Sequence, residues 1–366
     1  MRVLTLNPGS SSLKAALVVD GTAVGRSAWE TKESIVDEKM IADAVGRGRE
    51  VEAVAVRFVH GGSRGEPVLV DDELLDALER LGRLAPLHQP QSVALARAVR
   101  RACPALPVVA CFDTSFHVGL PAAAAHYPLA REWTRQGRLR RYGFHGLSCR
   151  YVARRAAEML GLDPAAARLV CCHLGAGVSV TAIDGGRSVD TSMGFTPLEG
   201  PPMATRSGSI DPGLLLHVME TASMSPAGMV DALYRRSGLA GMSGTSGDLR
   251  EVQAAAAEGE ADAVLALEVY LHRLRREIGG VAMSLPGLDA IVFTGGVAEH
   301  QPDLVATLAE GLGLLGIEAD RVRCAADGDR VVSPDGAAVA ALVLRAREEL
   351  ELARGAEQVL APVRAG

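Results

Sequence analysis

The octapeptide Asn7-Pro8-Gly9-Ser10-Ser11-Ser12-Leu13-Lys14, directly after an apolar run at 3–6, collects the groups that a phosphate needs. Gly9 allows a backbone shape that other residues resist, and three hydroxyls, the turn amides and one ammonium can converge on a point. Lys14 is one of only three lysines among 38 basic residues, so a lysine beside this turn is unlikely to be arbitrary. The same stretch also reads as a β-hairpin with a solvated turn, and it lacks the G-x-x-x-x-G-K-[ST] spacing of a P-loop. Three more glycine-rich turns follow: His173-Leu174-Gly175-Ala176-Gly177, residues 237–244, and Thr294-Gly295-Gly296-Val297-Ala298-Glu299. Small residues let backbone approach a ligand, and their amides can bind phosphate oxygens. Any one is a plain turn; four in one chain point to a nucleotide.

Charged groups in apolar surroundings supply the remaining chemistry. Arg57 lies within the apolar stretch 54–62, and Arg206 lies in the polar loop 205–208. A guanidinium fork suits a carboxylate or a phosphoryl group in transfer, and equally a structural ion pair. His145 is flanked by Phe144 and Gly146 and reads as a phosphate-facing or a structural histidine. Asp113 ends the apolar run 108–112, a strand end where α/β proteins place ligand-facing groups, although an Asx turn fits too. Glu348 and Glu349 fall on a helical pattern, where a solvated face is the alternative. His117 and His126 are nine apart across a Gly/Pro break and do not form a helical metal pair.

Strand signals at 3–6, 15–19, 54–59, 108–112, 168–172, 178–183 and 290–294 must position these groups. They alternate with helical patterns at 72–84, 92–102, 148–161, 212–220, 262–285, 302–313 and 337–354. This alternation predicts an α/β fold with mixed or parallel sheets. Residues 6–9 with the strand after them echo residues 172–177, which suggests a duplicated domain. At 366 residues the chain is long enough for two domains. We expect an N-terminal α/β domain at 1–148, joined by a helix at 347–366, and a nucleotide-binding α/β domain at 149–346. A net charge of −6 without basic blocks argues against nucleic acid as a partner. No apolar run approaches the ~18 residues that span a bilayer. Six cysteines without a C-x-x-C pair read as reduced core thiols, and no signal peptide precedes the first strand, so the expected location is cytoplasmic.

Taken together, these segments resemble the acetate kinase family, the acetate and propionate kinases of the sugar kinase/Hsp70/actin superfamily. The resemblance rests on 7–14, 57–62, 84–88, 112–117, 140–146, 172–177, 188–200, 205–208, 210–212, 237–250, 292–299 and 348–354. It implies two RNase H-like α/β domains around an interdomain cleft, homodimers, and Mg²⁺-dependent transfer from ATP to acetate, giving acetyl phosphate and ADP. By position, Asn7, Asp113 and Glu348 would hold Mg²⁺ directly or through water. Lys14, with Ser10 and Ser12, would face the nucleotide phosphates. Arg57 and Arg206 would grip the carboxylate and the phosphoryl group, with Asp113 and His145 completing the catalytic set. His173–Gly177, Asp248-Leu249-Arg250 and Gly296-Val297-Ala298-Glu299-His300 would bind the nucleotide. Val59, Leu87, Phe144 and Pro197 would line a small apolar pocket for the methyl group. The chain departs from the family pattern at Ala176 and His300, where Asn is usual, and at Ala298, where Gly is usual. Those departures leave open propionate, butyrate, pyrophosphate or another donor, and, less favoured, a non-catalytic nucleotide-binding protein.

Overall fold

The computed structural model describes residues 1–9, 12–30, 51–137 and 139–364. They fall into two compact units: Met1–Gly119 with Tyr142–Tyr151 and Arg347–Gly366, and Leu120–Arg141 with Val152–Ala346.

The first unit is built on β1 (Arg2–Pro8), β2 (Ser12–Val19), β3 (Thr22–Glu30), β4 (Ala53–Phe58), β5 (Val68–Leu69) and β6 (Val108–Phe112). Their order is β3-β2-β1-β4-β6-β5. β1, β4 and β6 run parallel, and the others pair antiparallel. Side chains alternate across a strand, so each strand feeds two cores. Leu4, Leu6, Val54, Val56, Phe58 and Phe112 meet Leu74, Leu75, Leu78, Val93, Leu95 and Val99 of the helices Asp72–Arg80 and Gln89–Ala102. Val3, Ala53, Ala55, Val109 and Cys111 face the other way, under Leu352, Ala353, Ala356 and Leu360 of the final helix, Glu348–Arg364. Continuing that second face by steps of two reaches Asn7, Arg57 and Asp113. The period of the strands therefore sets three polar groups side by side on the face where the final helix begins with Glu348.

The second unit contains β7 (Arg168–Leu174), β8 (Val178–Asp184), β9 (Arg187–Thr191), β10 (Ala290–Thr294), β11 (Arg330–Val331) and β12 (Ala340–Leu344). Its order, β9-β8-β7-β10-β12-β11, repeats that of the first unit, with the same parallel and antiparallel neighbours. The echo between residues 6–9 and 172–177 is the pair of hairpins β1–β2 and β7–β8. The duplicated α/β architecture expected from sequence is present.

Two expectations need correction. Residues 337–354 do not form one helix; they form β12 and then the start of the final helix. β12 lies between β10 and β11, and four of its five residues are buried. A strand covered on both faces reads as a continuous apolar run, as a buried helical segment does. Residues 120–141 also pack with the second unit rather than the first. Tyr127 donates to Glu199 at 2.5 Å and accepts from the Phe195 N–H at 2.8 Å. Arg141 donates to Glu199 at 2.7 Å and to the Ser192 carbonyl at 3.0 Å.

Candidate active site

Arg57 is the hub of the first unit. Its Nε donates to both Asp113 oxygens at 3.0 and 3.1 Å, and its Nη2 donates to Asp113 Oδ2 at 2.5 Å. Its Nη1 donates to Asn7 Oδ1 at 2.9 Å, and Asn7 passes the link on, its Nδ2 donating to Glu348 Oε2 at 2.6 Å. Asp113 is fully buried. Burial pushes its pKa up, the Arg57 charge works against that push, and Glu348 adds to it. Burial opposes the charge on Arg57 as well, but Asp113 and Glu348 overcome it and raise the pKa of the guanidinium. The cation and two carboxylates are thus held together at the strand ends, where each would be costly alone.

The segment after Gly143 closes on Asp113 from the other side. His145 has φ 56, a left-handed conformation uncommon outside glycine, and its backbone N–H bonds the Asp113 carboxylate. The Gly146 N–H donates to the Asp113 carbonyl at 2.9 Å, and a Cβ on Gly146 would stand 2.1 Å from that oxygen. Val59 and Phe144 are buried and Leu87 is half-buried in this same unit. Lys14 is exposed on β2 opposite Asn7, and the two line a 340 Å³ depression with Arg26 and Glu349, which pair at 2.7 Å. Ser12 opens β2, and its carbonyl accepts from the Gly9 N–H at 2.7 Å. Ser10 lies outside the described residues.

In the second unit, the turn after β7 and the loops after β10 enclose a 400 Å³ cavity. Gly175, Ala176, Asp248, Leu249, Arg250, Gly296, Val297 and His300 line it, with Tyr270 and Gln301. Asp248 caps the helix Leu249–Ala257 and pairs with Arg250 at 2.5 Å, and those bonds pull its pKa down to about 2. Gly295, at φ 88, would place a Cβ 2.6 Å from the Leu174 carbonyl, so only glycine lets β10 turn into the short helix Gly296–His300 here. Five residues expected at the nucleotide do not line the cavity. His173 and Leu174 are buried in β7, Gly177 closes the turn, and the Ala298 methyl is packed inside. Glu299 accepts from the Ala346 N–H at 2.9 Å.

Arg206 and Pro197 belong to this second unit. Arg206 is buried and donates to the Pro197 carbonyl at 2.8 Å. A larger depression of 680 Å³ lies in the first unit at the start of β6, beside Arg97 and Arg100. Those arginines are paired with Asp72, Asp76 and Glu79, so their charge is answered within the protein.

Sequence and structure comparisons show which proteins share these features. Residues 30–354 match the model of the acetokinase family. An acetate kinase of Leifsonia xyli subsp. xyli is 44% identical, the match covering 98% of this chain and 89% of that one. An acetate kinase of Pseudothermotoga lettingae is 38% identical over 98% of each. Among solved structures, a propionate kinase from Francisella tularensis subsp. tularensis superposes with a TM-score of 0.90 at 31% identity, covering 98% of this chain and 99% of that one. The acetate kinase of Porphyromonas gingivalis gives 0.88 at 32% over the same shares. With a family match running through both units, the chain belongs to the acetokinase family, phosphotransferases with a carboxyl group as acceptor.

Proposed function

We propose that this protein transfers a phosphoryl group reversibly from ATP to acetate, forming acetyl phosphate and ADP. The observation that carries this reading is the Arg57 hub. A guanidinium has five N–H groups, and three of those on Arg57 are committed to Asp113 and Asn7. One remains on each terminal nitrogen, a spacing suited to a carboxylate or to phosphoryl oxygens. No strong base is required, because the acid is ionised at neutral pH and is itself the nucleophile. The catalytic burden is electrostatic: two anions must meet while charge spreads over the transferring group. Arg57, Arg206 and His145 supply positive charge and donors for it.

The donor set also fits Mg²⁺, which binds through one or two carboxylates and completes its shell with water and phosphate. Asp113 and Glu348 are near enough that Glu348 raises the Asp113 pKa, a repulsion that a dication relieves. Asn7 keeps one lone pair beyond its bond from Arg57. Once bound, the ion would neutralise phosphate charge; holding and orienting it would fall to Asp113, Glu348 and Asn7.

The cavity favours a nucleotide over pyrophosphate. Its 400 Å³ lies within the ~300–1,000 Å³ range of small-molecule sites, and leucine, valine and tyrosine walls suit a base. Of the three departures from the family pattern, Ala298 is packed inside, so only Ala176 and His300 alter the cavity wall. Val59, Leu87, Phe144 and Pro197 are assigned to the acyl group. A hydroxamate assay crossing acetate, propionate and butyrate with ATP, GTP and pyrophosphate tests the reading. The largest kcat/KM should fall on acetate with ATP, and no acyl phosphate in any combination would refute it.

We assign the reaction to the cytoplasm, which the six free cysteines support. No helix among the described residues is long and apolar enough to cross a membrane. We also assign a homodimer. Ile210, Leu214, Leu216 and Val230 are exposed on and beside the helices Pro212–Thr221 and Pro226–Arg235, an apolar surface that a second copy would cover. Light scattering should give twice the chain mass, and Leu214→Glu with Leu216→Glu should give monomers.

A further inference from the structure

His60 holds a buried donor that the described protein does not satisfy. The residue is fully buried, and its backbone is clamped by one side chain. Its N–H donates to Gln89 Oε1 at 3.0 Å, and its carbonyl accepts from Gln89 Nε2 at 2.8 Å. Gly62, at φ 66, turns its own N–H onto His60 Nδ1 at 3.0 Å. A ring nitrogen that accepts carries no proton, so in the neutral imidazole the proton sits on Nε2. The ring is neutral, because burial pushes its pKa down to about 4. The Nε2–H then has no acceptor among the described residues. An unmet buried donor costs about 1–3 kcal/mol, and one fixed in tautomer by its neighbours calls for a reason.

Its surroundings give that reason. The imidazole lies edge-on to Tyr142 and Phe144, with ring centroids 4.5 and 5.7 Å away. Phe144 is itself fixed, its carbonyl accepting from His117 Nε2 at 2.9 Å. Val59 precedes His60 in the chain, and Leu87 lies two residues before the Gln89 clamp. Three of the four side chains assigned to the acyl group thus adjoin His60 through the chain, its clamp or a ring contact. We propose that His60 is the neutral polar anchor of the small-acid site, its Nε2–H donating to an oxygen of the bound carboxylate. Arg57 then supplies the charge and His60 the orientation. A neutral donor fixes the acid without the tighter ground-state hold that a second cation would impose.

This inference rests on the acid-phosphorylating reading, and its test separates the two. His60→Phe keeps a ring and removes the donor, whereas His60→Gln restores an N–H near the position of Nε2. The acetate KM should rise roughly 10- to 100-fold in His60→Phe, the scale of a hydrogen bond to a charged group, and recover most of that in His60→Gln. The ATP KM should stay within about twofold. In the unmodified protein, the His60 Nε2–H proton resonance should move on titration with acetate. An acetate KM unchanged in His60→Phe, an equal rise in the ATP KM, or a resonance unmoved by saturating acetate would each overturn the inference and leave the Tyr142 ring face as the partner of that N–H. If His60→Phe does not fold, the resonance decides alone. Absence of acyl phosphate from the unmodified protein would instead count against the proposed activity.

Discussion

Arg57 must stay charged within a protein interior, and the same arrangement that keeps it charged limits what can replace it. Lysine offers a point charge on a flexible stem, which cannot bond Asp113 through two nitrogens, hold Asn7 and still present two N–H groups outward. Arg57→Lys should therefore lower kcat by at least ~10²-fold in the hydroxamate assay, the scale of losing a transition-state donor. Turnover near the parent value would remove Arg57 from the reaction. Arg206 is placed differently, in the second unit on the Pro197 carbonyl. The types of both arginines were legible in the sequence, since each interrupts an apolar or small-residue stretch. Their partners were not: neither the Arg57–Asn7 bond, across 50 positions, nor the His60–Gln89 clamp, across 29, leaves any period in the chain.

At the scale of elements, the site depends on how strands end. Asn7, Arg57 and Asp113 each follow an apolar run, and the strand period then decides that they share a face, so this part of the site could be read in advance. Strands covered on one side and helices with a single apolar stripe were equally readable. β12 was not, because burial on both faces removes its period. β3 gave little signal because most of it is exposed. The Tyr127–Glu199–Arg141 group, which draws residues 120–141 to the second unit, is polar and long-range, and hydrophobic patterning says nothing about it. The helix Gly146–Leu160 carries the sharpest element-scale prediction. Its first residue lies against the Asp113 backbone, where a methyl group would be 2.1 Å from the carbonyl oxygen. Gly146→Ala must push that backbone away, so the expected result is a KM and kcat defect together with a Tm several degrees lower. Normal kinetics in Gly146→Ala would show that the strand end can move without consequence.

Over the whole molecule, two buried histidines give stability a defined pH dependence. Burial pushes both His60 and His117 down to about 4, against about 6.5 for an exposed imidazole. Between those values the unfolded chain binds protons that the folded chain does not, so stability rises with pH across that window. On acidification from about pH 6.5 to 4, each ring should contribute a loss of up to roughly 3 kcal/mol. Urea midpoints measured at several pH values should show the decline, and His117→Gln should flatten it. An unchanged slope in that variant would mean that its imidazole is not held neutral.

The bond between Asn7 and Glu348 joins positions 341 residues apart. On a ribosome working at ~5–20 residues per second, the first strand therefore waits roughly 20–70 s for its partner to be made. For all that time the sheet face of Val3, Ala53, Ala55, Val109 and Cys111 lacks its covering helix. A nascent chain in this state presents a greasy, half-finished surface to the cell and invites holding by a chaperone. Translation itself sets the moment at which the enzyme can first become competent, and a stall or a clip anywhere before residue 348 yields a chain whose first half is made but has no means of working.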